Sequence, residues 1–223
     1  MWRYASELKQ PLPSADLPFH HYPNKSGTYY GIEIRTNSLG LRDREYRLQR
    51  PSGVTRIVLL GDSFALGWGV PQQETAAKLL ERTLNASGRP SEVINMGTGN
   101  YNSSMEVELF KQKGLGLEPD IVVPLYFAND MEPTPRTTPL HYRLLSRLYL
   151  PGYILGKTRR LFAGRKDDLM SYYRSIYDPA APSLALYTAA IRELVRICRA
   201  RRIKLLMVNI PDLRDLRTYP FPF

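Results

Sequence analysis

The sequence predicts an α/β protein of three layers, helix on strand on helix, with a parallel, flavodoxin-like sheet. Three observations carry that prediction. Short apolar runs occur without polar alternation, as strands buried on both faces of a parallel sheet require. Amphipathic helical stripes lie between them. Gly, Ser, Asp and Asn gather directly after the runs, at the strand ends where open parallel sheets bind ligands.

Taken in order, Arg56-Ile57-Val58-Leu59-Leu60 is the first run, ended by Gly61. Residues 74–88 form a helix with Ala76, Ala77, Leu80 and Leu84 on one face. Val93-Ile94-Asn95 is the second strand. Ser103 followed by Glu106 makes a capping-box pattern, so a helix should start at Ser103 and end near Gly114 and Gly116. Ile121 to Phe127 is the third strand, and Pro124 inside it removes a ladder donor, which predicts a bulge. Ser183 is the expected N-cap of a helix whose stripe is Leu184, Tyr187, Ile191, Leu194, Val195 and Cys198, so the cysteine belongs to the core. Leu205 to Ile210 is the fourth strand, apolar at successive positions as though a neighbour lay beyond it. Ahead of this pattern, residues 1–30 show no period and read as an extended arm. Ile32 and Ile34 with the turn Asn37-Ser38-Leu39-Gly40 read as an edge strand or hairpin. The division expected is an arm over 1–50 and an α/β domain over 51–223, interrupted by a basic insert at 133–182.

Composition narrows the function. With 223 residues, 43% hydrophobic and 23% charged, the chain can bury a core and is neither fibrous nor disordered as a whole. It has no apolar run of the roughly 18–20 residues that a spanning helix needs. One cysteine excludes an internal disulfide and a cysteine-rich zinc site. Three histidines (His20, His21, His141) argue against a histidine-built metal centre, so no metal or cofactor is expected. The N-terminus lacks the apolar core of a signal peptide, which as written implies a cytoplasmic protein; an upstream segment would make it periplasmic or membrane-associated.

The residues at the strand ends suggest the chemistry. Gly61-Asp62-Ser63 comes after the first strand, Asn95-Met96-Gly97-Thr98-Gly99-Asn100 after the second, and Ala128-Asn129-Asp130 after the third. A hydroxyl, a glycine-rich turn and a carboxamide on one rim can attack an acyl carbon and hold the oxyanion that forms. The plainer readings are that Ser63 caps a helix, Gly97 and Gly99 serve a tight turn, and Asn129 is a loop amide.

These residues resemble the SGNH or GDSL-type esterases and acylhydrolases. Gly61-Asp62-Ser63-Phe64 looks like the first family block, Asn95 to Gly99 the second and Asn129-Asp130 the third. The run Thr36-Asn37-Ser38-Leu39-Gly40-Leu41-Arg42-Asp43 looks like the segment preceding the first block in bacterial members linked to polysaccharide acylation. The resemblance covers roughly residues 30–215. It implies Ser63 as nucleophile, oxyanion donors from Gly99 (with Gly97 the competitor) and Asn129, and supporting roles for Asp62, Asn100 and Asp130. It also implies an Asp-x-x-His that supplies the base, and none occurs here. His141, in a Pro-rich stretch, is a poor substitute. The family fold continues with a further strand and helix, so the chain is expected to be cut short at its C-terminus and impaired in activity.

The expected function is a serine-dependent ester hydrolase or O-acyltransferase acting on acyl, in the first place acetyl, esters of a carbohydrate or similar small substrate. The alternative is a non-catalytic module of the same fold that binds an acidic glycan or an anionic membrane surface. It rests on the net charge of +10 and on Arg143, Arg147, Lys157, Arg159 and Arg160, interleaved with apolar residues. Charge alone suggests nucleic acid, and the absence of any recognition module argues against it. Oligomeric state is not legible.

Overall fold

The computed structural model describes residues 2–134, 172, 173 and 175–211. His141, the basic residues Arg143 to Arg160 and most of the insert lie outside the described residues.

The α/β architecture is as the sequence predicts. Its sheet is built on β5 (Thr55–Leu60), β6 (Ser91–Asn95) and β7 (Ile121–Tyr126), with two short strands, β8 (Lys204–Leu205) and β9 (Val208–Asn209), against the outer edge of β7. All pairings among them are parallel, in the order β6-β5-β7-β8, with Ile57 opposite both Val93 and Ile121. Helices cover both faces. Val58, Leu60, Ile94 and Val122 pack with α4 (Ser103–Leu109) and α5 (Pro182–Arg201). Ile57, Leu59, Val93, Val123 and Leu125 pack with α2 (Ser63–Leu66) and α3 (Ala76–Ala86). Alternate residues of one strand thus enter opposite cores, which is why the strands read as unbroken apolar runs.

Pro124 causes no bulge. The carbonyls of Val122 and Tyr126 accept from the N–H groups of Leu206 and Ile210, so even-numbered residues of β7 turn their polar groups outward, and there Pro124 has no N–H to offer. The neighbour answers by breaking into β8 and β9 around Leu206 and Met207. Register is identical on the two sides of the break, so no residue is inserted. The helix after β6 starts at Ser103 as expected, but the caps of two helices differ from expectation. Asn102, not Ser103, caps α4, its Oδ1 accepting from Met105 N at 2.9 Å. That leaves Glu106 buried in the interior. Pro182 begins α5 at the position where a missing N–H costs nothing, and Ser183 Oγ donates instead to the Ile176 carbonyl.

The first fifty residues are more structured than an extended arm. They form α1 (Trp2–Leu8), a hairpin of β1 (Lys9–Pro11) with β2 (Phe19–His21), and a second hairpin of β3 (Ser26–Tyr29) with β4 (Ile32–Arg35). Leu17, Phe19 and Leu41 enter the α4/α5 core. Tyr4, Leu8, Tyr29 and Ile34 close over Leu66 of α2. The arm therefore packs on the helix that begins with Ser63.

Candidate active site

β5 delivers the chain to Gly61, where an added Cβ would lie 2.7 Å from the Ala65 Cβ, so the turn closes only without a side chain. Asp62 then caps α2: its Oδ1 accepts from Phe64 N at 2.8 Å. Its other oxygen, Oδ2, accepts from Ser63 Oγ at 3.2 Å and from Asn129 Nδ2 at 2.9 Å. The hydroxyl from the end of β5 and the carboxamide from the end of β7 thus meet on one carboxylate oxygen. The opposite amide orientation would set Asn129 Oδ1 against that carboxylate, so Nδ2 faces Asp62. Asn129 sits in a tight turn over Ala128–Met131, closed by Asp130 Oδ2 accepting from Phe127 N at 2.8 Å.

The third loop, from Gly97 to Asn100, is wedged against α2. A Cβ on Gly97 would lie 2.1 Å from Leu66 N and 2.4 Å from the Ala65 carbonyl carbon, so only glycine permits the approach. The loop is tied to the turn before Ser63 by Thr98 N donating to the Gly61 carbonyl at 3.0 Å. Neither glycine N–H is available, however. Gly97 N donates to Asn95 Oδ1 at 2.9 Å, and Gly99 N donates to the Tyr4 hydroxyl at 3.0 Å.

Tyr4 and Lys9, which the sequence did not single out, and Arg42 and Asp43 of the Thr36–Asp43 run complete the surroundings. Tyr4 of α1 is also hydrogen-bonded, at 2.6 Å, to Nε2 of His21, and burial together with the charge of Lys9 pushes that imidazole down to about 3. Lys9 of β1 donates to the Gly99 carbonyl at 2.6 Å and to Asn100 Oδ1 at 2.9 Å, and its ammonium lies 4.0 Å from the centre of the Phe19 ring. Burial lowers this amine to about 7. The guanidinium of Arg42, wholly buried, donates to the carbonyls of Leu66, Gly67 and Val70 and braces the end of α2. Asp43 accepts from Asn95 N at 2.9 Å. The run from Thr36 to Asp43 therefore grips both the Ser63 helix and the end of β6. Nothing in the aperiodic arm could have pointed to Tyr4 or Lys9.

Behind Asn129 the electrostatics are acidic. Burial, then the charges of Asp130 and Asp62, lifts Glu106 well above the usual carboxylate range; burial also raises Asp130 to about 8. These carboxyls have no cationic partner among the described residues, so nothing there offsets the cost of ionising them. In front of Asn129 lies a cavity of about 290 Å³ lined by Lys9, Phe19, Asn100, Tyr101, Asn102 and Glu132 as well. Among the described residues no histidine bonds Ser63 Oγ, and no three His, Cys, Asp or Glu side chains are grouped to hold a metal ion.

No family model matches the chain, and no curated protein matches it. Several solved structures are similar to it. A lipolytic protein of the G-D-S-L family from Desulfitobacterium hafniense aligns over 74% of this chain and 65% of its own, at 15% identity and a TM-score of 0.44. AlinE4, an SGNH-hydrolase family esterase, aligns over 70% of this chain and 77% of its own, at 19% identity and a TM-score of 0.35. A lipase/acylhydrolase from Enterococcus faecalis aligns over 68% and 74%, at 18% identity and 0.32. At these values the likeness is one of chain path, and this chain spans 65% of the length of the first.

Proposed function

We propose that this protein is an SGNH-type serine ester hydrolase or O-acyltransferase, acting on acyl, in the first place acetyl, esters of a carbohydrate or similar small substrate. One observation carries the reading: Ser63 Oγ and Asn129 Nδ2, from the ends of two adjacent parallel strands, converge on Asp62 Oδ2. Ser63 Oγ attacks the acyl carbon as its proton passes to a base. The oxyanion accepts from Ser63 N–H, from the Gly97–Asn100 loop and from Asn129 Nδ2. Collapse of the tetrahedral adduct breaks the bond to the alcohol, which leaves with a proton. Water or a second hydroxyl then takes the acyl group from Ser63. The cavity beside Asn129 supports a small polar substrate: amides, an amine and a carboxylate suit hydroxyl groups better than a long acyl chain, and about 290 Å³ is at the small end for ligand pockets.

Ser63 Oγ has only the Asp62 carboxylate as partner among the described residues, so the hydroxyl is a weak nucleophile and covalent labelling is the sensitive assay. A fluorophosphonate should label the wild-type chain and not Ser63→Ala, and acetyl esters should be cleaved in preference to long-chain esters. Labelling that survives Ser63→Ala would sink the assignment.

A further inference from the structure

The hydrogen bonds of the loop after β6 can be followed residue by residue. Gly97 N–H goes to Asn95 Oδ1, Thr98 N–H to the Gly61 carbonyl, Gly99 N–H to Tyr4 Oη and Tyr101 N–H to the Thr98 carbonyl. Between Gly97 and Tyr101 only Asn100 N–H has no acceptor among the described residues. Asn100 is exposed and holds φ = 67°, a left-handed conformation that asparagine tolerates better than other side-chain-bearing residues and that its surroundings hold in place. The surroundings here are Lys9, which binds both the Gly99 carbonyl and the Asn100 side chain.

The 99–100 peptide is trans, so its carbonyl and its N–H point in opposite directions. Lys9 pulls the carbonyl towards the arm. The N–H of Asn100 is thereby turned away from Lys9, and Asn100 lines the same cavity as Asn129. From this we infer that the backbone N–H of Asn100, rather than that of Gly99, is the loop's oxyanion donor, and that Lys9 is the positioning residue that aims it. The inference rests on the esterase reading of Ser63 and names the donor and its support. Tyr4 contributes by occupying Gly99 N–H, which fixes the preceding peptide and leaves one donor instead of two competing ones. Lys9 touches no reacting atom; it acts through the peptide it holds. A buried ammonium without a carboxylate partner is a costly way to fill space, and an apolar side chain would pack in the same place without desolvating a charge.

The test is the rate at which a fluorophosphonate labels Ser63, split into the first-order labelling step and the apparent affinity. Lys9→Met, which keeps the shape and removes the donor, should slow the first-order step about 10- to 100-fold, a larger change than any in affinity, which Lys9 also touches as a lining residue of the cavity. Lys9→Gln, which restores a donor for the Gly99 carbonyl, should fall between the two. Wild-type speed in Lys9→Met, a loss confined to affinity, or a Lys9→Gln rate no better than Lys9→Met would each overturn the inference. Amide spectra of the wild-type chain give a second readout that survives a poorly folded variant. Asn100 N–H should exchange fast in the free protein and become protected, with a shifted resonance, when Ser63 carries the phosphonate. A response at Gly99 instead would overturn the assignment. A wild-type chain that takes up no label at all would remove the esterase reading and this inference with it, a result distinct from normal labelling that ignores Lys9.

Discussion

The candidate site is held from two sides that differ in kind. On the sheet side, Ser63, Asp62 and Asn129 stand on turns closed by their own neighbours, braced by Arg42 and backed by carboxyls whose ionisation burial disfavours. On the arm side, Tyr4, Lys9 and His21 reach across from the first two strands and the first helix, and grip one loop through a phenol and an amine. In the proposed reaction the sheet side presents groups to a substrate and the arm side aims a peptide. The two should therefore fail differently, one by losing the fold around Ser63 and the other by losing rate with the fold intact.

The largest effect should come from Arg42. Arg42→Met leaves the carbonyls of Leu66 and Val70 without donors and that of Gly67 with only the Val70 N–H, at about 1–3 kcal/mol for each unsatisfied group, for a loss of roughly 3–5 kcal/mol. Thermal unfolding should show the midpoint falling by about 10 °C or more. Next is Asp62→Ala, which removes the helix cap and the shared acceptor of Ser63 and Asn129. It should cost about 1–2 kcal/mol of stability in chemical denaturation and slow Ser63 labelling by at least about 100-fold.

Two glycines two residues apart sharpen the contrast. Gly97→Ala would drive its Cβ into the backbone of α2 and should destabilise by about 1–3 kcal/mol; Gly99→Ala meets first the ring edge and hydroxyl of the Tyr4 side chain, at 3.0 Å, and should cost less than about 1 kcal/mol. Urea midpoints of the two variants measure the difference. Equal losses would mean that the arm is as unyielding as the helix.

The smallest effects are in pH dependence, and the two sides have opposite signs. Asp130 binds its proton more tightly folded, with its carboxyl at about 8 against an ordinary 3.8, so its contribution is whole below about 4 and drains away as pH rises to about 8. Lys9, at about 7 against 10.5, binds its proton less tightly folded, so stability recovers as pH climbs from about 7 to 10.5. Denaturant midpoints at pH 5, 7.5 and 10 should show Asp130→Asn flattening the first limb alone and Lys9→Met the second alone.

The same division explains what the sequence revealed. β5, β6 and β7 were legible because each is a short apolar run ended by turn residues, and α3 and α5 because their stripes have a helical period. Ser63 and Asn129 followed, since strand ends in a parallel sheet fix where loop residues emerge. The arm was not legible. α1 has seven residues, too few to display a period, and its one local signal, Arg3 four positions before Glu7, is an exposed pair worth little. Lys9 reads as a solvated cation until Phe19, Gly99 and Asn100 are seen around it. Glu106 matched a capping box in spacing, but Asn102, one position earlier than the expected cap, took the task and left the carboxyl to the interior. Pro124 was recognised as a defect in the ladder; that the neighbouring strand would yield instead of β7 depended on which edge its nitrogen faced.

Lys9 leaves the ribosome some ninety residues before the peptide it must hold. At roughly 5–20 residues per second, the first strand waits about 5–18 s for its partner to be synthesised, and longer for β7 to bring Asn129 alongside. The oldest part of the chain thus stays without its loop partner until residue 100 is made, and every group of the candidate site has been synthesised before β8 and β9 can close the edge of the sheet.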